Sequence, residues 1–76
     1  MRKKDALYAI NDEYDEAAKH FPVFASYHEG KAIIEEELEE LWDEIKAKPH
    51  PGRKGNLKRE AIQVGAMALR FLIDLC

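Results

Sequence analysis

The sequence contains one cysteine, Cys76, and nowhere a run of about eighteen apolar residues. A single cysteine cannot close a disulfide within the chain, and no Cys/His cluster has the spacing of a zinc site. The basic start of the chain is interrupted by acidic residues before an apolar segment can form, unlike a secretory signal. We therefore expect a cytoplasmic protein in a reducing compartment, without a membrane segment.

Positive charge is also scarce. The chain carries 12 Lys and Arg against 15 Asp and Glu, which gives a net charge of −3 at pH 7. Without an overall positive field, attraction to a nucleic-acid backbone or to an anionic membrane is not expected. The sequence also lacks a glycine-rich phosphate loop and the Ser/His/Asp or Cys/His arrangements of nucleophilic enzymes. P-loop chemistry and nucleophilic catalysis are therefore not expected.

What the sequence does contain is the composition of a small folded domain. Of its 76 residues, 46% are hydrophobic and 36% are charged. Such a chain is too apolar to be disordered, and a single domain over residues 1–76 is expected. A chain this short has difficulty burying enough surface to be stable alone, so a homodimer or homotetramer is expected.

Apolar residues at three- and four-residue steps, separated by two sets of breakers, indicate three amphipathic helices. Pro22 ends the first, and Ser26 with Glu29 has the form of a capping box for the second. The segment KPHPGRKGN supplies the next break, and Asn56 is expected to cap the third helix. The sequence therefore predicts an all-α chain with helices at about 3–20, 27–48 and 57–75.

The second predicted helix contains the stretch IIEEELEELWDEI, residues 33–45, with seven acidic residues in thirteen. Its apolar positions fall on one side and are expected to face the core: Ile34, Leu38, Leu41, Trp42 and Ile45. Glu37, Glu40 and Glu44 form a line along one flank, where like charges repel by about a few tenths of a kcal/mol per pair. A solvated face tolerates that cost, whereas a divalent cation would turn the repulsion into attraction.

The third predicted helix is apolar over most of its circumference and must be buried on several sides. Two short helices cannot cover it, so we expect oligomerisation into a four-helix-type bundle, with Gly65, Ala61 and Ala68 permitting close approach.

A narrow polar strip on the third helix has two interpretations. It is either an ordinary solvent-facing strip, in which Arg70 pairs with Asp74, or part of a site. In the second interpretation Glu60 and Gln63 face the acidic flank of the second helix across a cleft and complete a set of oxygen ligands.

The acidic stretch Glu36-Glu37-Leu38-Glu39-Glu40 has the form EExxE, and Glu60 opens a second motif on the next helix. Over about residues 27–75 the chain resembles the all-α, MazG-like nucleoside triphosphate pyrophosphohydrolases, which carry EExxE on one helix and ExxD on the next. The resemblance implies an oligomeric helical fold. It also implies an Mg²⁺-dependent activity, with Mn²⁺ as a substitute, that cleaves nucleoside triphosphates to a nucleoside monophosphate and pyrophosphate.

Carried over position by position, the resemblance implies that Glu37, Glu40 and Glu60 are metal ligands and that Glu36 ligates or orients the attacking water. The last position departs from the family, since Gln63 stands where the family has Asp. Glutamine keeps a carbonyl oxygen as a fourth ligand but loses a negative charge, which weakens a hard-cation site.

Three alternatives follow from these residues. The chain is a pyrophosphohydrolase, or it is a non-catalytic helical module that keeps the bundle for nucleotide binding, partner binding or assembly. In the third alternative it is a small acidic bundle without a metal or nucleotide site. The role of the basic residues near the second break also has two interpretations. They either contact the substrate phosphates or only solubilise a turn: Lys54, Lys58 and Arg59.

Overall fold

A computed structural model describes the whole chain, residues 1–76, as three α-helices without strands. The helices are α1 (Lys3–His20), α2 (Tyr27–Lys46) and α3 (Arg53–Leu75). Helix α3 is central, because α1 and α2 each pack on it and not on one another. No helix combines the length and the hydropathy that a membrane crossing requires. The prediction of an all-α chain with three helices is confirmed.

Helix α2 begins with the predicted capping box. The Ser26 hydroxyl oxygen accepts a hydrogen bond from the Glu29 backbone N–H at 3.1 Å. The Glu29 carboxylate in turn accepts one from the Ala25 backbone N–H at 2.9 Å, one residue before the N-cap. Two backbone donors are therefore satisfied at the point where the chain enters α2.

The predicted bounds around the second break are wrong at both ends. Helix α2 ends at Lys46, since Pro49 disfavours helical backbone at the residue before it and Ala47 is already extended. Helix α3 begins at Arg53 and not at residue 57, so Asn56 lies within its first turn. Its N-cap is Gly52, which adopts a left-handed backbone with φ of 88°. Glycine reaches this conformation without steric cost, and the helix starts there without a side-chain cap.

The hydrophobic core is small, with four apolar residues buried at the junction of the three helices and the first connection. They are Ala17, Phe24, Ala66 and Met67. Partly buried side chains from α2 and α3 pack around them, and no large side chain is fully buried.

Two glycines allow the helices to approach closely. A Cβ atom on Gly30 would lie 2.6 Å from Cδ2 of Phe71, and one on Gly65 would lie 2.9 Å from Cδ1 of Ile10. Gly30 therefore permits the packing of α2 on α3, and Gly65 that of α1 on α3. The space at Gly65 is occupied within the chain, which corrects the expectation that Gly65 serves an approach between subunits.

The expectation that one apolar side of α2 faces the core is also wrong in part. Leu38, Trp42 and Ile45 are 52%, 54% and 45% exposed. The more buried positions of α2 lie farther round the helix and include two acids: Gly30, Ile33, Ile34, Glu37, Leu41 and Glu44. Polar groups of α3 bind these two acids, so α2 is rotated toward α3 on its acidic flank.

The polar strip of α3 is not solvent-facing at its C-terminal end. Arg70 and Asp74 do form the expected pair, with Nε and Oδ2 3.7 Å apart, but their side chains are only 8% and 6% exposed. Asp74 also accepts a hydrogen bond from the Phe24 backbone N–H at 3.0 Å. The Arg70 guanidinium donates to the Pro22 carbonyl oxygen and lies 4.2 Å from the centre of the Phe24 ring. The pair therefore fastens the connection between α1 and α2 to α3.

Candidate metal centre

Three carboxylates from two helices meet at the interface of α2 and α3. Glu37 and Glu40 are one turn apart on α2, and Glu60 projects from the facing side of α3. One oxygen atom of each carboxylate lies within 4.8 Å of those of the other two. The structure thus brings together the three acids that the resemblance assigns as metal ligands.

Little positive charge compensates this cluster. Its only ion pair is between Arg59 and Glu60, 3.4 Å apart, and the Arg59 side chain is 61% exposed. Partial burial, followed by the negative charges of Glu40, Glu60 and Glu36, raises the pKa of Glu37 from 4.5 to about 7. The cluster therefore holds more negative charge than its surroundings balance.

Gln63 lies one turn after Glu60 and joins the cluster as a hydrogen-bond donor. With its amide nitrogen turned toward the acids, it donates to Oε2 of Glu60 at 3.1 Å and to Oε2 of Glu37 at 3.0 Å. Its carbonyl oxygen points away in this orientation. In this orientation Gln63 bridges the two acids, and in the reverse orientation its carbonyl oxygen faces them, as a metal ligand would.

The donor set fits a hard divalent cation. Mg²⁺ takes carboxylate oxygens and water, and neighbouring ligand oxygens in an octahedral shell lie about 3 Å apart. Three oxygens within 4.8 Å reach that spacing by small rotations of their side chains. Glu37, Glu40 and Glu60 would hold the cation, and water or phosphate oxygens would complete its shell.

A cleft of about 430 Å³ opens beside the cluster, between α1 and α2 and above α3. Glu36 and Glu37 line it from α2, and Gln63 lines it from α3. Glu36 is exposed, so its carboxylate can reach a water molecule in the cleft. Apolar side chains form much of the remaining wall: Ala17, Phe21, Ile33 and Met67.

Helix α1 adds residues to this cleft that the sequence interpretation did not single out. Glu13, Glu16 and His20 line it opposite Glu36, and Arg70 lines it from α3. Glu13 and Glu16 could have been found from the sequence, because they lie three residues apart on one helix face, beside the apolar stripe of α1. What the sequence could not supply was the placement of that face opposite α2.

The basic residues near the start of α3 do not converge on the carboxylates as a group. Arg59 contacts Glu60, but together with Lys58 it lines a different hollow between α1 and α3, beside Asp12. Lys54 is exposed in the first turn of α3. A role in phosphate binding remains a prediction for all three.

Glu44, the last acid in the predicted line, is engaged elsewhere. Its Oε1 lies 2.8 Å from Nε2 of His50 and accepts a hydrogen bond from the Asn56 amide at 3.3 Å. The same turn is held by Arg53, which donates to the Ile45 carbonyl oxygen at 2.6 Å. Glu44 therefore fixes the connection between α2 and α3 and is not part of the cluster.

Compared with models of known protein families, with curated proteins and with solved structures, the chain gives no match. These comparisons therefore do not identify its family.

Proposed function

We propose that the protein is a divalent-cation-dependent hydrolase of nucleoside triphosphates, similar to the MazG-like pyrophosphohydrolases, that releases a nucleoside monophosphate and pyrophosphate. The observation that carries the proposal is the meeting of Glu37, Glu40 and Glu60 within 4.8 Å, from two helices and beside a cleft. The order of the motifs along the chain supports the same reading.

The chemistry needs charge neutralisation and positioning more than a covalent intermediate. A bound Mg²⁺ supplies neutralisation of the phosphate oxygens and lowers the pKa of a coordinated water. In the reaction, water attacks the α-phosphorus, the bond to the bridging oxygen breaks, and pyrophosphate leaves with the bonding electrons. The residues of the chain hold the cation and receive the proton of the attacking water.

Glu36 is the residue best placed to receive that proton. It lines the cleft next to Glu37 and is exposed, and no Lys, Arg or His lies within ion-pair distance of it. A free carboxylate within reach of a water is a competent general base. Arg59, which pairs with Glu60, is a positive charge beside the cluster that could contact a phosphate oxygen.

One observation favours a second candidate function, a non-catalytic helical module. Gln63 already bridges Glu37 and Glu60 through its amide nitrogen, which lowers the need of these acids for a cation. Such a module would bind nucleotide or a partner, or serve only in assembly, and would not turn substrate over.

Pyrophosphate release from a panel of ribo- and deoxynucleoside triphosphates, with Mg²⁺ or Mn²⁺, separates the two candidates. The enzyme predicts metal-dependent release that Glu37→Gln, Glu40→Gln and Glu60→Gln each abolish. Asp15→Asn is a matched control, since it also replaces one acid by an amide on an exposed helix face away from the cleft. Nucleotide binding by calorimetry without any release would favour the non-catalytic module.

A further inference from the structure

The cleft beside the carboxylate cluster runs along α3 and has two different ends. The residues of α3 that line it, from Gln63 to Arg70, span about 10 Å at a rise of 1.5 Å per residue. The carboxylate cluster lies at the Gln63 end, because Gln63 contacts Glu37 and Glu60. The connection between α1 and α2 lies at the Arg70 end, where the Pro22 carbonyl oxygen accepts a hydrogen bond from Arg70. The cleft therefore leads from the cluster to this connection.

The wall of the cleft becomes more apolar with distance from the cluster. Met67 lies one turn beyond Gln63 on α3 and shares the buried core with Ala17. Phe21 belongs to the far end, since its ring centre lies 5.9 Å from the guanidinium carbon of Arg70. Thioethers and aromatic rings are favourable contacts for a flat aromatic ligand. The part of the cleft beyond Gln63 is therefore suited to a flat, mainly apolar group.

A nucleoside triphosphate has its parts in the same order. Under the proposed function, its phosphates bind the cation that Glu37, Glu40 and Glu60 hold. A nucleobase presents a flat face on which apolar side chains stack, so it fits the apolar part of the cleft. The cleft volume of about 430 Å³ lies within the range of ligand pockets, about 300–1,000 Å³. The sugar, which joins base and phosphates, then lies at the polar end of the cleft.

Glu13 is the residue of α1 that lies at this polar end. It lines the cleft with Glu36 and Gln63, and it also borders the hollow between α1 and α3 that contains Lys58 and Arg59. Since α3 begins at residue 53, that hollow lies beside the first half of α3, on the cluster side of the cleft. Glu13 therefore faces the position of the sugar and not that of the base.

The Glu13 carboxylate is partly buried and has no partner within the chain. The other acid that α1 contributes to the cleft, Glu16, lies 3.2 Å from Lys19 and 3.6 Å from His20. No basic side chain lies within ion-pair distance of Glu13, and no protein group donates a hydrogen bond to it. An ionised carboxylate only accepts hydrogen bonds, and partial burial without a donor costs free energy. Glu13 is therefore complementary to a ligand that brings donors.

Sugar hydroxyl groups are such donors. We propose that Glu13 accepts hydrogen bonds from the 2′- and 3′-hydroxyl groups of the nucleotide and thereby selects ribonucleotides over deoxyribonucleotides. Two neighbouring hydroxyls match the two oxygens of one carboxylate, and acidic side chains hold ribose in this way in dinucleotide-binding folds. A deoxyribose lacks the 2′-hydroxyl and leaves one of these oxygens unpaired inside the cleft. The placement of the sugar rests on the proposed function, because the bound cation fixes where the phosphates lie.

Two other partners for Glu13 are less consistent with the structure. A second cation needs several carboxylate oxygens close together, and the group that meets this condition consists of Glu37, Glu40 and Glu60 without Glu13. A base amino group is also a donor, but the apolar wall places the base beyond Gln63, away from Glu13. The sugar hydroxyls are therefore the donors that lie nearest to this carboxylate.

The test compares each ribonucleoside triphosphate with the deoxy form of the same base. With Mg²⁺, kcat/KM for pyrophosphate release should favour the ribo form by about 10- to 100-fold, because the lost hydrogen bond is to a charged group. Glu13→Ala should bring this ratio close to one, chiefly by slowing the ribo substrate. Glu16→Ala is the matched control, since it removes the neighbouring acid of α1 and should keep the wild-type ratio. A wild-type ratio of one, or a ratio that Glu13→Ala leaves unchanged, would overturn the inference.

Binding measurements separate this inference from the proposed function. The α,β-methylene analogues of ATP and dATP cannot be cleaved between these phosphates, so calorimetry with Mg²⁺ reports on the sugar whether or not the chain is an enzyme. We expect the ribo analogue to bind at least about tenfold more tightly to the wild type, and equally with the deoxy analogue to Glu13→Ala. If no nucleotide releases pyrophosphate, the proposed function fails and this binding difference decides the inference alone. Release at equal rates from ribo and deoxy forms would leave the proposed function standing and contradict the role of Glu13.

A second substitution covers the case in which Glu13→Ala does not fold, which circular dichroism would show. Glu13→Gln keeps the size of the side chain but leaves one accepting oxygen instead of two. It should lower the preference for the ribo form without removing binding of Mg²⁺ to the carboxylate cluster. If Glu13→Gln instead weakens Mg²⁺ binding and slows ribo and deoxy substrates equally, Glu13 acts on the cation and not on the sugar.

Discussion

With the Gln63 amide on α3 oriented so that its nitrogen faces the acids, this nitrogen donates a hydrogen bond to Oε2 of Glu37 on α2 at 3.0 Å. The same nitrogen donates to Glu60 at 3.1 Å. Hydrogen bonds to charged groups stabilise more than neutral ones, so the amide offsets part of the repulsion within the cluster. Without a metal, the neutral Gln63 side chain thus reduces the repulsion between the carboxylates, as a bound cation would do more strongly.

This arrangement predicts how two substitutions at position 63 differ. Gln63→Ala removes both hydrogen bonds and should lower the free energy of unfolding by about 1–3 kcal/mol without metal. Gln63→Asp adds a like charge as well, so it should be less stable than Gln63→Ala in a chelator and gain more from added Mg²⁺. Urea unfolding with chelator and with Mg²⁺ measures both effects. Equal responses of the two variants to Mg²⁺ would place position 63 outside the metal shell.

The raised pKa of Glu37 predicts a pH dependence of metal binding. Between its ordinary value of 4.5 and about 7, the folded chain retains a proton on Glu37 that the unfolded chain has released. Without metal, this contribution to stability is therefore present below pH 4.5 and is lost as the pH rises through about 7.

A divalent cation must displace that proton, so Mg²⁺ affinity should rise with pH below 7, approaching about tenfold per pH unit. Calorimetry in two buffers of different ionisation enthalpy counts the protons released. Glu37→Gln should both weaken binding and remove the proton release. Affinity that does not change with pH below 7 would contradict a role for Glu37 as a ligand.

Local signals made much of the fold predictable. Pro22 and the Ser26/Glu29 box act within a few residues of where they stand, so the end of α1 and the start of α2 follow from them directly. The start of α3 did not follow, because Gly52 caps it through a backbone conformation. That conformation is held by contacts of Arg53 and His50 with α2. No sequence pattern encodes those contacts.

The candidate site was also predictable in part from the sequence. Helical spacing places Glu37 beside Glu40, and a packed neighbour brings Glu60 to them. Spacing alone does not say by how much α2 is rotated on α3, and that rotation exposes Trp42 and its neighbours. It also does not show that Arg70 is buried, because the groups that compensate its charge come from distant parts of the chain: the Pro22 carbonyl and the Phe24 ring.

The contact between His50 and Glu44 predicts a pH dependence of stability near the α2–α3 connection. Hydrogen bonds to the Pro51 carbonyl and to Glu44 raise the pKa of His50 above 6.5. Hydrogen bonds from His50 and Asn56 lower the pKa of Glu44 below 4.5. The histidine contribution is present below pH 6.5 and is lost above it as His50 deprotonates. The glutamate contribution is present above pH 4.5 and is lost in acid.

Replacing the histidine isolates its contribution. In His50→Asn, the loss of stability as the pH rises from 6.5 through the raised pKa of His50 should become smaller, and only the loss caused by Glu37, which titrates at about 7, should remain. Because the pair is partly exposed, high salt should reduce the difference from the wild type. Urea unfolding across this pH range, at fixed protein concentration, provides the measurement. A variant that keeps the wild-type slope above pH 6.5 would show that His50 does not titrate in this contact.

The buried pair Arg70–Asp74 predicts strong coupling in a double-mutant cycle. Arg70→Met leaves the Asp74 carboxylate buried without its partner and should cost about 3–5 kcal/mol of unfolding free energy. Asp74→Asn keeps an oxygen for the Phe24 N–H, and Arg70 keeps the Pro22 carbonyl, so it should cost less.

The double variant should be more stable than the sum of the two single effects predicts, by about 1–3 kcal/mol, because neither charge is then left alone. Lys31 and Glu35 provide the control cycle, since their pair is shorter, at 2.7 Å, but 72% and 59% exposed. Exposed pairs couple by about 0.2–1 kcal/mol. If the coupling energy at Arg70–Asp74 is no larger than in the control, solvent must reach the pair. Breaking an ion pair costs much free energy when the pair is buried, whatever the distance between its charged atoms.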